Sequence, residues 1–219
     1  MNDRRHYINR WKTDYDFKTI VSSFGSLAVT MIFALYNGFL GVYHRSLWHG
    51  TICVYYIILI LLRGLIIAAE KKISPQIKGG EARNRVYLIA SVLLLILNTS
   101  LVVPIAIMVK QQKPVDLTLI PAIAMAAYTT YKIIMASINL KRRSRSGNVL
   151  VRLLRTINFV DALVSIITLQ NTLIMVNAKG QDTKMITLSA FTSGAIWAAV
   201  LALSVTALVN GIRRSRGGK

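Results

Sequence analysis

The chain has 219 residues, of which 54% belong to the set AVILMFWYC, and its mean hydropathy is +0.51. It also carries 27 Lys and Arg residues against 8 Asp and Glu, which gives a formal net charge of +19. A soluble domain of this size cannot bury so much apolar surface, and a disordered basic tail lacks the apolar content. The combination is typical of a polytopic membrane protein that keeps its charges in the loops.

Six apolar stretches are long enough to cross a bilayer, because about 20 helical residues span a hydrocarbon core of about 30 Å. Backbone hydrogen bonds must be satisfied within lipid, so we predict an all-α bundle of six transmembrane helices in a single domain. A short amphipathic arm, residues 1–16, precedes the first span, which is too long for a cleaved signal peptide. The predicted spans are 20–42, 51–69, 86–109, 117–140, 157–176 and 185–212.

The basic residues are distributed unevenly among the connections. Most of them fall in the N-terminal arm, the second-to-third connection, the fourth-to-fifth connection and the C-terminal tail. Short loops rich in Lys and Arg stay in the cytoplasm, so both termini are predicted to be cytoplasmic. The same loops would contact anionic lipids of the inner leaflet. Binding of nucleic acid is not expected, because the chain offers neither a folded basic face nor an aromatic platform.

Three formally charged residues lie within the predicted spans, namely Arg63, Lys132 and Asp161. Counted from the basic flanks at about 1.5 Å per residue, all three lie about 9–14 Å in from the cytoplasmic side. An unpaired charge there is costly, so we expect pairing across helices, with one positive charge left over. That charge would suit an anionic ligand, a lipid phosphate or water, which makes the layer a candidate solute pathway. The structural alternative is that the bases extend to the headgroups and Asp161 clamps a single partner.

Amide side chains form a second candidate group nearer the opposite side, comprising Asn37, Asn98, Gln170 and Asn171. They either join helices through hydrogen bonds or line a polar solute route. The three Asn residues each begin an N-x-x-[LI]-x-V segment, which suggests three related helical hairpins. Pro104 follows the polar residues 98–100, so the third span is predicted to kink there.

The enzyme hypothesis depends on His49 and Cys53, which stand four residues apart at the start of the second span. That spacing places them on one helix face, where a thiol and an imidazole can form a nucleophile. No orienting acid or amide is nearby in sequence, and the plainer interpretation is a free thiol beside a loop. The residues also lack the spacing of a zinc site, so neither a metal nor a cofactor is expected.

Four segments together resemble a group of uncharacterised bacterial six-span membrane proteins: 37–41 (NGFLG), 46–49 (SLWH), 55–63 (YY through R) and 169–172 (LQNT). The resemblance covers most of the chain and implies a protein of the bacterial cytoplasmic membrane, without an activity or a site. We expect a small-solute permease or channel-like component that uses the charged layer. The alternative is a non-transporting accessory or regulatory subunit that binds a membrane protein partner or a second copy of itself. An outward-facing thiol enzyme is the more distant alternative.

Overall fold

The computed structural model describes residues 15–73, 79–111, 119–141, 148–176 and 183–217. Within those ranges the chain is helical and contains no strand, so the predicted all-α bundle is confirmed. The amphipathic arm predicted for residues 1–16 lies, except for its last two residues, outside the described ranges. The helices are α1 (Tyr15–Tyr43), α2 (Leu47–Lys72), α3 (Gly79–Ser100), α4 (Val102–Gln111), α5 (Leu119–Lys141), α6 (Val149–Val176) and α7 (Thr183–Gly217).

Four helical stretches of the described chain are long and apolar enough to cross a membrane. They are Phe24–Tyr43, Leu47–Lys72, Gly80–Ala106 and Thr187–Arg216. Ala122–Ile138 in α5 is also apolar but shorter, and α6 is not among the four. These apolar helices are compatible with an integral membrane protein. That all six predicted spans cross the bilayer stays a prediction.

Helix α6 occupies the centre of the bundle, where it packs against α1, α2, α3, α5 and α7. It is surrounded by protein over much of its length, and Leu150, Leu154, Ile157 and Val164 are fully buried. A helix enclosed by other helices does not need an apolar surface toward lipid. This explains how α6 carries Asp161 and several other polar residues that lower its mean hydropathy.

Helix pairing departs from the order of the chain. The most extensive contacts join α1 to α2, α5 to α6, and α3 to α7. The consecutive spans α3 and α5 are not an extensively packed pair among the described residues. The three hairpins suggested by the N-x-x-[LI]-x-V segments are therefore not three equivalent packed pairs in this part of the chain.

The third predicted span is interrupted near its middle. Helix α3 ends at Ser100, Leu101 is in a turn, and α4 begins at Val102. Pro104 causes the break, because its ring lacks an N–H and collides with the carbonyl four residues earlier, at Ser100. The Ser100 hydroxyl donates a hydrogen bond to Leu97 O at 2.6 Å. The kink predicted from the sequence is confirmed.

The end of the bundle that we call the basic end joins the end of α2 to the starts of α3 and α6. Glu70 Oε1 accepts hydrogen bonds from Arg83 Nη2 at 3.0 Å and from Asn148 Nδ2 at 2.7 Å. Helix α7 also ends here, since a Cβ placed on Gly211 would lie 3.2 Å from the Tyr87 ring. The basic residues at this end include Lys71, Lys72, Arg83, Arg85, Arg152, Arg155, Arg213, Arg214 and Arg216.

The opposite end, which we call the hairpin end, contains the α1–α2 connection, residues 44–46. Ser46 N donates to Gly41 O at 3.0 Å and Arg45 N donates to Val42 O at 3.3 Å. This is the Schellman pattern that ends many helices. Arg45 takes the left-handed position of the motif, with φ of 49°, where glycine is usual. Its side chain is exposed, so the connection presents a cation at this end of the bundle.

Candidate functional site

The three charged residues predicted within the spans meet in one cluster, which we call the ionic layer. Arg63 comes from α2, Lys132 from α5 and Asp161 from α6. Arg63 Nη2 donates to Asp161 Oδ2 at 2.7 Å, and Lys132 Nζ donates to the same oxygen. Because α6 is the central helix, its carboxylate can reach both cations. The common depth inferred from the sequence thus corresponds to direct contact.

Helix α1 completes the ionic layer with two hydroxyl groups. Arg63 Nη1 donates to Ser26 Oγ and to Thr30 Oγ1, each at 3.3 Å. Lys132 Nζ donates to Ser26 Oγ at 3.1 Å and also to Thr30 Oγ1. Ser26 and Thr30 are one helical turn apart, so both face the same neighbours. Four helices, α1, α2, α5 and α6, are therefore joined at a single level of the bundle.

The ionic layer is closed to solvent. The side chains of Arg63 and Asp161 are 0% exposed, and that of Lys132 is 2% exposed. Neither the Arg63 guanidinium nor the Asp161 carboxylate therefore borders a water-filled space. The structural alternative predicted that Arg63 and Lys132 extend to the headgroups. Both side chains instead stay inside the bundle and contact Asp161.

Aromatic rings cover the ionic layer on the side of the hairpin end. Phe33 and Tyr128 stack with ring centroids 3.7 Å apart, and Tyr56 meets Phe33 edge-on at 5.3 Å. Tyr128 OH lies 3.4 Å from Asp161 Oδ1, to which it donates, and Lys132 Nζ lies 5.3 Å from the Tyr128 ring centroid. Tyr128 therefore contacts both Asp161 and Lys132, and cation–π attraction stabilises the Lys132 ammonium.

On the side of the basic end, the turns of α6 before Asp161 are buried. They carry the fully buried Leu150, Leu153, Leu154 and Ile157 and also two buried polar residues, Arg155 and Asn158. A charged or polar solute that approached from the basic end would have to displace this packed region. The layer is thus enclosed between aromatic rings and these turns of α6.

Three of the predicted amide residues, Asn98, Gln170 and Asn37, form hydrogen bonds between helices. Tyr55 OH donates to Asn98 Oδ1 at 3.0 Å, and Asn98 Nδ2 donates to Ser204 Oγ at 2.7 Å, which joins α2, α3 and α7. Thr192 Oγ1 donates to Gln170 Oε1 at 3.3 Å, which joins α7 to α6. These contacts match the structural role of amides, in which they hold helices together.

Asn37 joins α1 to α2, whereas Asn171 forms no side-chain hydrogen bond among the described residues. Asn37 Nδ2 donates to Phe33 O at 2.9 Å, and Asn37 Oδ1 lies 3.2 Å from His49 Nδ1. The side chain of Asn171 is 1% exposed, yet neither its oxygen nor its nitrogen has a hydrogen-bond partner among the described residues. The four amides are thus distributed over separate contacts and do not form a continuous polar route in the described structure.

The thiol and imidazole of the enzyme hypothesis are not hydrogen-bonded to each other. His49 Nδ1 faces Asn37, and His49 Nε2 has no hydrogen-bond partner among the described residues. Cys53 instead faces α1, where a Cβ placed on Gly38 would lie 3.1 Å from its Sγ. No group of three His, Cys, Asp or Glu side chains that could hold a metal occurs in the described ranges.

Sequence reasoning missed the hydroxyl partners of the ionic layer as a group. Ser26 and Thr30 are separated by four residues on an apolar helix, which is a recognisable signal for a shared polar contact. Serine and threonine can also satisfy themselves by bonding to the carbonyl one turn back, as Thr30 Oγ1 does to Ser26 O at 2.8 Å. The sequence therefore could not tell a partner of Arg63 from a self-satisfied hydroxyl.

Comparison of the chain with protein-family models, with curated proteins and with solved structures finds no match.

Proposed function

We propose that this protein is a non-transporting integral membrane subunit, an accessory or regulatory scaffold of the bacterial cytoplasmic membrane, with six crossings and the basic end in the cytoplasm. The observation that carries the proposal is the enclosure of the ionic layer, whose Arg63 and Asp161 side chains are 0% exposed. A transport site must open toward each side of the membrane in turn during its cycle. The enclosed layer instead suits a structural clamp.

The clamp has a physical use within a bundle of apolar helices. Dispersion contacts between apolar helices in lipid discriminate weakly among sliding positions, because lipid tails are as apolar as the side chains. The hydrogen bonds among one carboxylate, two cations and two hydroxyls depend on the relative heights of α1, α2, α5 and α6, because a shift of one helix separates donors from acceptors. We infer that the ionic layer sets the register of these four helices, which is the best-attested role of buried polar groups.

The basic end gives separate support to the accessory role. Its arginines and lysines lie where α2, α3, α6 and α7 end, and they would face the cytoplasm in the proposed orientation. Such residues attract anionic headgroups, each contributing about 1 kcal/mol near the surface. They also offer a surface for an acidic segment of a partner protein or of a second copy.

A solute permease is the second candidate, and the charge balance of the ionic layer favours it. Two bases meet one carboxylate, which leaves one positive charge in the interior. An anionic solute would compensate that charge, and its binding and release on opposite sides of the membrane would constitute transport. This candidate requires the aromatic rings and the buried turns of α6 to open, whereas the scaffold requires them to stay closed.

The accessibility of the layer to a water-soluble reagent distinguishes the two functions without knowledge of a substrate. Cys53 is the only cysteine, so Cys53→Ala yields a cysteine-free chain. Ser26→Cys in that background places a small thiol within the ionic layer. We expect no reaction with a membrane-impermeant methanethiosulfonate added from either side, in energised and in de-energised vesicles, because the layer stays sealed.

Arg45→Cys in the same background is the positive control, since residue 45 is exposed at the hairpin end. Reaction of Ser26→Cys from either side, at a rate approaching that of the control, would contradict the scaffold and support the permease. Reaction limited to the control supports the scaffold.

A further inference from the structure

An open groove runs along the outward face of α2 at the hairpin end. Its volume is about 770 Å³. The floor is formed by Gly50, Val54 and Ile58 of α2, with α1 on one side and the broken helix α3–α4 on the other. Val54 and Ile58 are 57% and 44% exposed. The groove is thus apolar, is open to the lipid side of the helices and lies outside the ionic layer.

The length of the groove matches one leaflet of a bilayer. Along α2 it extends from Leu47 to Ile58, a distance of about 16 Å at 1.5 Å per residue. Half of a hydrocarbon core of about 30 Å is about 15 Å. Beyond Ile58 the same helix presents Leu61 and Leu65, which are exposed and do not line the groove. The groove therefore ends near the middle of the membrane.

The rim of the groove carries a cation at the level expected for lipid headgroups. Arg45 lines the groove at its open end, next to Ser46 and Leu47. The backbone of Arg45 holds the left-handed conformation in a motif that usually selects glycine. An arginine at that point presents five N–H donors, which suit the oxygens of a phosphate.

We propose that this groove binds one phospholipid of the leaflet that contains the α1–α2 connection. The phosphate contacts Arg45, and an acyl chain lies along Gly50, Val54 and Ile58 against Pro104 and the end of α3. The wall opposite α1 contains the break in the third span, with Ser100, Leu101 and Val103 lining the groove there. The proposal does not depend on whether the protein is a scaffold or a permease.

The shape of the groove favours a lipid over a helix of a partner protein. A transmembrane helix needs a contact surface along about 30 Å, whereas the groove stops after about half of that length. A lipid combines an anionic headgroup with a chain of one-leaflet length, and both features have a counterpart on the protein. Charge and length together therefore point to the same occupant.

A pair of matched glycine variants on α2 tests the site. Neither Gly50 nor Gly64 has an atom within 4 Å of the position that a Cβ would take, so a Cβ meets open space at both positions. Gly50→Leu fills the groove, and Gly64→Leu adds the same bulk to the same helix outside it. The probe is phosphatidylglycerol with a diazirine on its acyl chain, present as a minor component of phosphatidylcholine vesicles that contain the full-length protein.

After illumination, mass spectrometry of peptides should find the label concentrated on 47–58 and 97–104. Gly50→Leu should lose this labelling, while the exposed face of α7 remains labelled and Gly64→Leu behaves as the unmodified chain. Arg45→Asn, which tolerates the left-handed backbone, should weaken groove labelling about tenfold, as loss of one charge-assisted hydrogen bond predicts.

Three results would overturn the proposal. One is labelling spread evenly over all lipid-facing helices. Another is an equal response of Gly50→Leu and Gly64→Leu. The third is a groove that stays unlabelled in the unmodified chain while α7 is labelled, which would mean that something other than lipid occupies it.

Discussion

Asp161 is the residue on which the buried polar contacts of the bundle converge. Its carboxylate accepts hydrogen bonds from Arg63 of α2 and from Lys132 and Tyr128 of α5, and Thr30 Oγ1 of α1 lies 3.3 Å from it. Without its charge, the guanidinium and the ammonium would be two like charges in a site without water. Because the ionic layer has two cations and one carboxylate, Asp161 should contribute more to stability than either cation.

Asp161→Asn should destabilise the protein far more than Lys132→Met. The first change keeps a polar group of the same shape but leaves two buried cations uncompensated, at a cost of about 3–5 kcal/mol. The second removes the surplus cation and leaves a neutral Arg63–Asp161 pair, so its cost should stay below about 1 kcal/mol. Unfolding of the purified full-length chain in detergent micelles, followed by circular dichroism, measures both free energies.

The double variant Asp161→Asn with Lys132→Met is the control for this prediction. It should be more stable than Asp161→Asn alone, because one of the two repelling cations is gone, and the effects of contacting residues are not additive. Equal losses in the two single variants would show instead that Lys132 is as necessary to the fold as Asp161.

Two polar residues that are adjacent in the sequence, Asn98 and Thr99, have different environments in the bundle. Asn98 is buried and contacts Tyr55 and Ser204, whereas Thr99 is exposed and donates to Leu95 O at 2.9 Å. Both are polar residues in an apolar run. The side of the helix that faces other helices decides their roles, and composition alone does not reveal that side.

The crossing of α1 and α2 depends on a close approach of their backbones. A Cβ on Gly41 would lie 2.9 Å from Gly50 N and 3.2 Å from Gly50 Cα. Both of these are backbone atoms, so they cannot move aside as a flexible side chain would. Small residues are common where membrane helices approach in this way.

Gly41→Ala should therefore destabilise the α1–α2 pair by about 1–3 kcal/mol, the usual range for overpacking. Gly25→Ala on the same helix is the matched control, since nothing lies within 4 Å of its added Cβ. That control should be neutral or stabilising by up to about 1 kcal/mol, because alanine favours helix. Detergent unfolding midpoints measure both, and a loss at Gly25 equal to that at Gly41 would contradict the proposed close approach.

Helix α6 shows how position in the bundle changes the meaning of hydropathy. It contains Asp161, Asn158, Ser165 and Thr168, all buried. Neighbouring helices supply the partners of Asp161, while the Ser165 and Thr168 hydroxyls donate to carbonyls of α6 itself. A helix that faces lipid has no such partners and must be apolar on that side. The polar content of α6 therefore marks the centre of the bundle.

For the protein as a whole, the distribution of charge predicts one orientation in the membrane. The described Lys and Arg residues outside the ionic layer gather mainly at the basic end, and the hairpin end presents Arg45. Segments rich in Lys and Arg are retained in the cytoplasm during insertion. The basic end should thus be cytoplasmic and the hairpin end external.

Labelling in intact bacterial cells tests this orientation. In the Cys53→Ala background, Arg45→Cys should react with an impermeant maleimide before permeabilisation, and Ser215→Cys, near the end of α7, should react only afterwards. Both residues are exposed, so access depends on the side of the membrane alone. The opposite order of reactivity would reverse the orientation, and simultaneous reaction of both would place the two ends on one side.

Most of the architecture followed from regularities that act along the chain. Apolar runs of sufficient length predict helices because lipid offers the backbone no other partners. A constant rise of about 1.5 Å per residue places Arg63, Lys132 and Asp161 at one depth before any contact is known. Pro104 predicts a break because its ring excludes the normal helix geometry locally.

The choice of neighbours did not follow from the chain, because it depends on rotation about each helix axis and on how side chains from distant segments fit together. Asp161 therefore takes both cations, α3 packs on α7, and His49 contacts Asn37 while Cys53 faces Gly38. Depth is a one-dimensional property that residue counting supplies. The choice of partners is a three-dimensional one, and it appears only when the helices pack together.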